Sequence, residues 1–260
     1  MLQLSLQPTM TPPPTIDPTD PEAIQRELFD DDRWVKDEFA AHLDGTLPEL
    51  CEALATCFRL MGALNEAANR AESVRTALVA AFVFGVLDDL VVSTKLLLTG
   101  KLPAAGNLMR QVVEGIAMSI LCSADSPLIV KEETKKRPAV RALYWERLNN
   151  GGSLTRGHLA LSQLEWNAAE LGLKADAVAR LRAAKEYYNA FSHCGTATIT
   201  NRVSLEGVGM FHLGGHFDEA KLEAYRAELE GRINLCHVLP PFMGHMIATM
   251  TPPAPHGEPA

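Results

Sequence analysis

The chain has 260 residues, 47% of them hydrophobic but only 6% aromatic, enough to bury a sizeable core of small aliphatic side chains and to exclude a wholly disordered polymer. With 32 acidic and 24 basic residues the formal charge is −8, which excludes a protein that grips nucleic acid through its overall charge. The five cysteines, at 51, 57, 122, 194 and 236, form no CxxC pair, which excludes a zinc ribbon or a disulfide scaffold and implies reduced thiols in the cytoplasm.

Residues 1–21 carry six prolines and read as a disordered arm, and 251–260 repeat that composition as a disordered tail. Residues 22–250 between them read as a single helical domain. Helices are predicted over 21–29, after Thr19 or Asp20 as N-cap, then over 33–43 and 47–68, the last with Leu50, Leu54, Cys57, Phe58, Met61 and Leu64 on one stripe. Residues 73–99 form a longer helix that is apolar on every face from 77 to 87, as expected at the centre of a bundle, and stop at Gly100. Residues 77–98 are long enough to cross a bilayer, yet Asp88 and Asp89 at their middle cost roughly 2.5–3.5 kcal/mol each there, so no membrane is expected.

After a turn at Pro103, residues 104–122 return as an antiparallel partner. Two short helical pieces divided by Pro138 follow over 126–150, then helices over 153–171 and 175–194. The segment 196–215, TATITNRVSLEGVGMFHLGG, is β-branched and glycine-rich and reads as a small β-hairpin. A helix over 218–236 is expected to break at Pro240-Pro241 before a last apolar piece, 242–250. The fold class is therefore all-α, a helical bundle with a small β-hairpin near its C-terminal third.

Arg182, Glu186, Asn189 and His193 share one face of the helix 175–194, a combination suited to acid–base chemistry near neutral pH. The same stripe equally suits a solvated face, with Leu181, Ala184, Tyr188 and Phe191 turned to the core. On the helix 104–122, Arg110 and Glu114 are one turn apart among apolar neighbours, as a register-setting ion pair or as an anion site. Asp88, Asp89 and Glu114 hint at a carboxylate cluster, but no spacing specifies a metal, and neither metal nor other cofactor is expected. Lys131, Lys135, Lys136, Arg137, Arg141 and Arg147 make 131–147 the most basic stretch, read either as a charged helix face or as a guide for phosphate.

Two motifs, LLLTGKLPAAGNLMRQVVEGIAM and YYNAFSHCGT, together resemble the HEPN superfamily of small helical bacterial proteins from toxin and abortive-infection systems. Gly100, Ala105, Leu108, Arg110 and Glu114 follow its helix–turn–helix pattern, and the second motif resembles its histidine-bearing helix end. In that family the His serves as acid or base at the ribose 2′-hydroxyl, and an Arg a few positions before it supports the phosphate in a metal-free cleavage, commonly between two subunits. The resemblance assigns His193 and Asn189 to these catalytic positions, but Tyr188 stands where active members carry Arg. Phosphate binding then falls to Arg110 or Arg182, with Glu114, Glu186 and Tyr188 as orienting groups. Two functions are open: a non-catalytic or weakly active HEPN-like module whose buried Arg/Glu/His cluster binds a ligand or partner protein, or a metal-independent RNase acting on RNA or a nucleotide. A homodimer is implied in either case.

Overall fold

A computed structural model of the chain describes residues 17–205 and 214–251. Most of the proline-rich arm, nearly all of the tail and the middle of the expected 196–215 hairpin lie outside the described residues.

Local chemistry marks the starts of two helices and the end of one. The helix α1 (Pro21–Phe29) is capped by Asp20, whose side chain accepts the Glu22 N–H at 3.0 Å, with Pro21 in the first turn where no N–H is needed. After α2 (Arg33–His42), the stripe expected as one helix over 47–68 is divided into α3 (Thr46–Phe58) and α4 (Met61–Ala71). Ser73 caps α5 (Val74–Leu97) by accepting the Thr76 N–H at 3.2 Å. At its far end the Lys101 N–H reaches the Leu96 carbonyl and the Gly100 N–H the Leu97 carbonyl, both at 2.9 Å, with Gly100 at φ +72°; this paired closure needs the left-handed backbone that glycine adopts without strain.

The chain then reverses into α6 (Leu102–Ser123), and the α5–α6 hairpin is the centre of the bundle. Val79, Val83, Leu87, Leu90 and Leu97 of α5 are buried, each side chain contributing about 1.5–3 kcal/mol. α5 is long and apolar enough to cross a membrane, but α4 and α6 pack along it. It is not buried all round: Phe84 is 53% exposed, so its outer face meets solvent.

The hairpin lies elsewhere than expected, as β1 (Leu128–Lys131) and β2 (Val140–Ala142), antiparallel in the register Leu128↔Ala142 and Ile129↔Arg141 with an irregularity before Lys131↔Val140. The helical pieces expected over 126–150 thus reduce to α7 (Tyr144–Asn149), and of the basic stretch Lys135, Lys136 and Arg137 lie in the exposed β1–β2 connection, with Lys131 in β1, Arg141 in β2 and Arg147 in α7. Tertiary partners decide this: in α8 (Gly157–Trp166) and at its end, Gln163 donates to the Val130 carbonyl at 2.8 Å, and the Asn167 amide both accepts from and donates to the backbone of Ile129, standing in for a further strand. Residues 196–200, expected as strand, form the short helix α10 (Thr196–Thr200), reached after α9 (Ala175–Ser192).

The last helix, α11 (Leu222–Met250), follows a 3₁₀ turn at Glu219–Lys221 and continues through Pro240 and Pro241, where a break is expected. Proline at 240 removes the N–H that would bond the Cys236 carbonyl, and the buried Cys57 thiol donates there instead, at 3.4 Å. Leu239, Met243 and Met246 are buried on either side, so packing holds the helix together across the missing bonds. α8 and α9 lie on α6, α4 lies on α5, and α3 and α4 lie on α11.

Candidate functional site

The residues singled out in sequence divide into two groups with no hydrogen bond or ion pair between them among the described residues. Arg182, Glu186, Asn189 and His193 are all exposed on α9. Arg182 is bidentate on Glu165 of α8, and this hydrogen-bonded carboxylate holds its guanidinium above the usual arginine range. His193 is the C-cap, where the chain leaves the helix in extended conformation, and its ring makes no hydrogen bond or ion pair among the described residues. An acid–base histidine is oriented by a neighbour that hydrogen-bonds its ring, and among the described residues none bonds His193.

Arg110 and Glu114 are half-buried to buried on the side of α6 that faces α8 and α9. The guanidinium donates to Glu114 at 2.6 Å while its Nε is buried without a hydrogen-bond partner among the described residues. The other carboxylate oxygen of Glu114 lies against the first residue of α8: a Cβ added to Gly157 would come within 3.0 Å of it. A carboxylate at an otherwise uncapped helix start is favourably placed against its N–H groups. Phe191 packs on Gly106, one turn before Arg110, at a would-be Cβ distance of 2.4 Å, and His193 lies beyond Phe191 at the end of α9. Among the described residues no hydrogen bond or ion pair joins His193 to Arg110 or Glu114, and His193 is exposed.

The buried polar cluster of this protein is a different one. Arg232 of α11 is fully buried; its Nη1 donates to the Glu228 carboxylate at 2.6 Å and to the Glu228 carbonyl at 2.8 Å, and its Nη2 donates to Ser93 of α5 at 2.8 Å. Ser93 in turn donates its hydroxyl hydrogen bond to the Ala105 carbonyl of α6 at 2.9 Å, and Tyr187 of α9 donates to Glu228 at 2.7 Å. Four helices are joined by one set of charge-assisted bonds. Sequence reasoning passed over Arg232 and Glu228, although both fall on the apolar seam of α11 with Tyr225, Leu229, Ile233 and Cys236, where a charge is anomalous.

Tyr188, at the position of the motif Arg, points into this cluster and is 7% exposed. Burial, then the Glu228 carboxylate, pushes its phenol up to about 12, with Arg232 opposing. The ring of Tyr187 is more than half exposed, but its hydroxyl is raised as well, by burial and then by its bond to Glu228. Tyr144, whose hydroxyl donates to Gln163 at 2.9 Å, is raised chiefly by burial. The folded state thus keeps these protons above the ordinary value of 10.0, where the unfolded chain loses them, so stability is complete below about pH 10 and falls as the pH climbs toward 12. Tyrosinate absorbance in native protein is expected to stay low past pH 10 and then rise together with loss of helical circular dichroism; titration near pH 10 with helix intact would contradict this.

Asp88 is exposed and Asp89 half-buried, the latter held above the usual carboxylate range by burial and then by Asp88. Among the described residues no three His, Cys, Asp or Glu side chains gather as a metal-ligand set. No family model, curated protein or solved structure matches the chain.

Proposed function

We propose that the chain is a non-catalytic, HEPN-like helical module of the cytoplasm, which acts by binding a ligand or partner rather than by cutting RNA. The observation that carries this reading is the separation of the two motif positions. Tyr188 turns inward onto Glu228 and Arg232, whereas His193 turns outward with no partner among the described residues. Metal-free cleavage of a phosphodiester needs a proton-transfer group and a cation aimed at one phosphate. Arg182 is taken up by Glu165 and Arg110 by Glu114, so neither guanidinium stands free beside His193.

The competing reading, a metal-independent RNase of a toxin or defence system, draws on the exposed Lys135, Lys136 and Arg137 of the β1–β2 connection. Incubation of mixed single-stranded RNA in EDTA separates the two, with monomer and any dimer assayed apart because family members cleave between subunits. Wild type, His193→Ala and Arg110→Ala are all expected to be inert. Arg110→Ala is also expected to lose about 1–3 kcal/mol of stability, as Glu114 gives up its charged partner. Cleavage by wild type that His193→Ala abolishes would overturn the proposal.

A further inference from the structure

We infer that the cleft beside the α5–α6 turn is a binding site for a small phosphorylated anion. It has a volume of about 240 Å³, and its lining among the described residues includes Lys101, Asn201, Arg202 and Lys221. Three cations at one cleft stand out in a chain with a formal charge of −8, although Lys101 and Lys221 are each held by a carboxylate, Asp32 and Asp218, and Glu27 lies beside Gly214 at the rim.

The cations are of two kinds. Lys101 and Lys221 are fixed in place: Lys101 donates to Asp32 at 2.7 Å, and Lys221, with a side chain only 9% exposed, lies 3.4 Å from Asp218 and donates to the Val203 carbonyl at 2.6 Å. An ammonium has three donors, so Lys101 has hydrogen-bonding capacity left after Asp32, whereas Lys221 adds its charge from the wall. Arg202 is exposed, and its side chain makes no ion pair or hydrogen bond among the described residues. A free guanidinium beside two held ammonium groups is the arrangement that receives a phosphate, since its fork binds two oxygens at once.

A Cβ on Gly100 would lie 2.0 Å from the His216 carbonyl oxygen, so backbone meets backbone at the rim. Ala104, in the first turn of α6, also lines the cleft, and that helix start has no side-chain cap, which adds favourable field for an anion. The volume is below the roughly 300–1,000 Å³ of sites for drug-sized ligands, so it suits a phosphomonoester with a short organic part, set against Pro103 and Tyr225. None of these residues belongs to α9 or to the Arg110–Glu114 pair, so the inference stands whether or not His193 is silent.

The test is calorimetric and thermal titration of the full chain with glycerol phosphate, with glycerol as control and ionic strength held constant with chloride. Glycerol phosphate is expected to bind saturably at one site and to raise Tm with concentration, and glycerol to do neither. Arg202→Gln is expected to weaken binding about tenfold or more while leaving the unliganded Tm unchanged, because Arg202 is exposed and its side chain makes no hydrogen bond or ion pair among the described residues. Arg180→Gln, the same charge change at an exposed position on α9, is expected to leave binding unchanged. Absence of saturable binding, or equal weakening by the two variants, overturns the inference.

Discussion

Arg232→Met is expected to lower the unfolding free energy by about 3–5 kcal/mol, because it removes one partner of a buried ion pair and leaves the other without its cation. Methionine is long and apolar enough to occupy most of the space, so a cavity does not account for the loss. What accounts for it is Glu228, itself 7% exposed, which keeps only the Tyr187 hydroxyl among the bonds described above and loses the Arg232 guanidinium. The same reasoning predicts a partial rescue. Glu228→Gln in the Arg232→Met background neutralises the stranded carboxylate and keeps an acceptor for Tyr187, so it is expected to recover about 2 kcal/mol. Denaturant titration of the wild type, single and double variants checks both numbers. A single variant within about 1 kcal/mol of wild type, or a double variant no better than the single, would show that the network is not what joins α5, α9 and α11.

The second large effect is placed at the crossing of the α5–α6 turn and the segment before α11. Gly215→Ala would set a Cβ 1.8 Å from the Thr99 carbonyl oxygen and 2.9 Å from its carbon, and backbone cannot move aside as a flexible side chain can. A loss of about 3 kcal/mol or more is expected, since the two segments must separate. Gly100→Ala meets the same obstacle from the other side and adds the strain of a methyl-bearing residue at φ +72°. Gly85→Ala supplies the contrast, because nothing lies within 4 Å of its added Cβ in the middle of α5; helix propensity alone is expected to stabilise it by about 0.5–1 kcal/mol. Opposite signs for Gly215→Ala and Gly85→Ala in chemical denaturation are the expected result. Gly215→Ala within about 1 kcal/mol of wild type would remove the crossing as a fixed point of the fold.

The candidate site was less legible than the helices that carry it. The stripe Arg182, Glu186, Asn189 and His193 is a correct reading of α9 geometry, but periodicity is silent on which stripe faces the core when both carry polar groups. Tyr187 and Tyr188 settled the matter in the structure, by reaching the Glu228 and Arg232 cluster from the neighbouring stripe. Arg110 and Glu114 were legible as a pair because an i, i+4 contact is local, yet their role against the start of α8 depends on Gly157, which is far from them in sequence.

By itself the sequence determined the helical bundle, the antiparallel α5–α6 hairpin, the cap at Ser73 and the closure at Gly100. Each rests on bonds between residues a few positions apart, such as the 3.2 Å bond from the Thr76 N–H to Ser73. Tertiary structure alone decided where the strands lie, that α11 continues through Pro240 and Pro241, and which charges are buried. In each case the deciding partner comes from far along the chain: Asn167 pairs with Ile129 across 38 residues, Arg232 reaches Ser93 across 139, and Cys57 fills the place of the missing N–H at Cys236 across 179. Local propensity is worth a few tenths to about 1 kcal/mol for an ordinary residue and about 3 kcal/mol for a proline inside a helix. The ladder at Pro240 and Pro241 is therefore kept by the burial of Leu239, Met243 and Met246 together with the Cys57 bond rather than by any single contact.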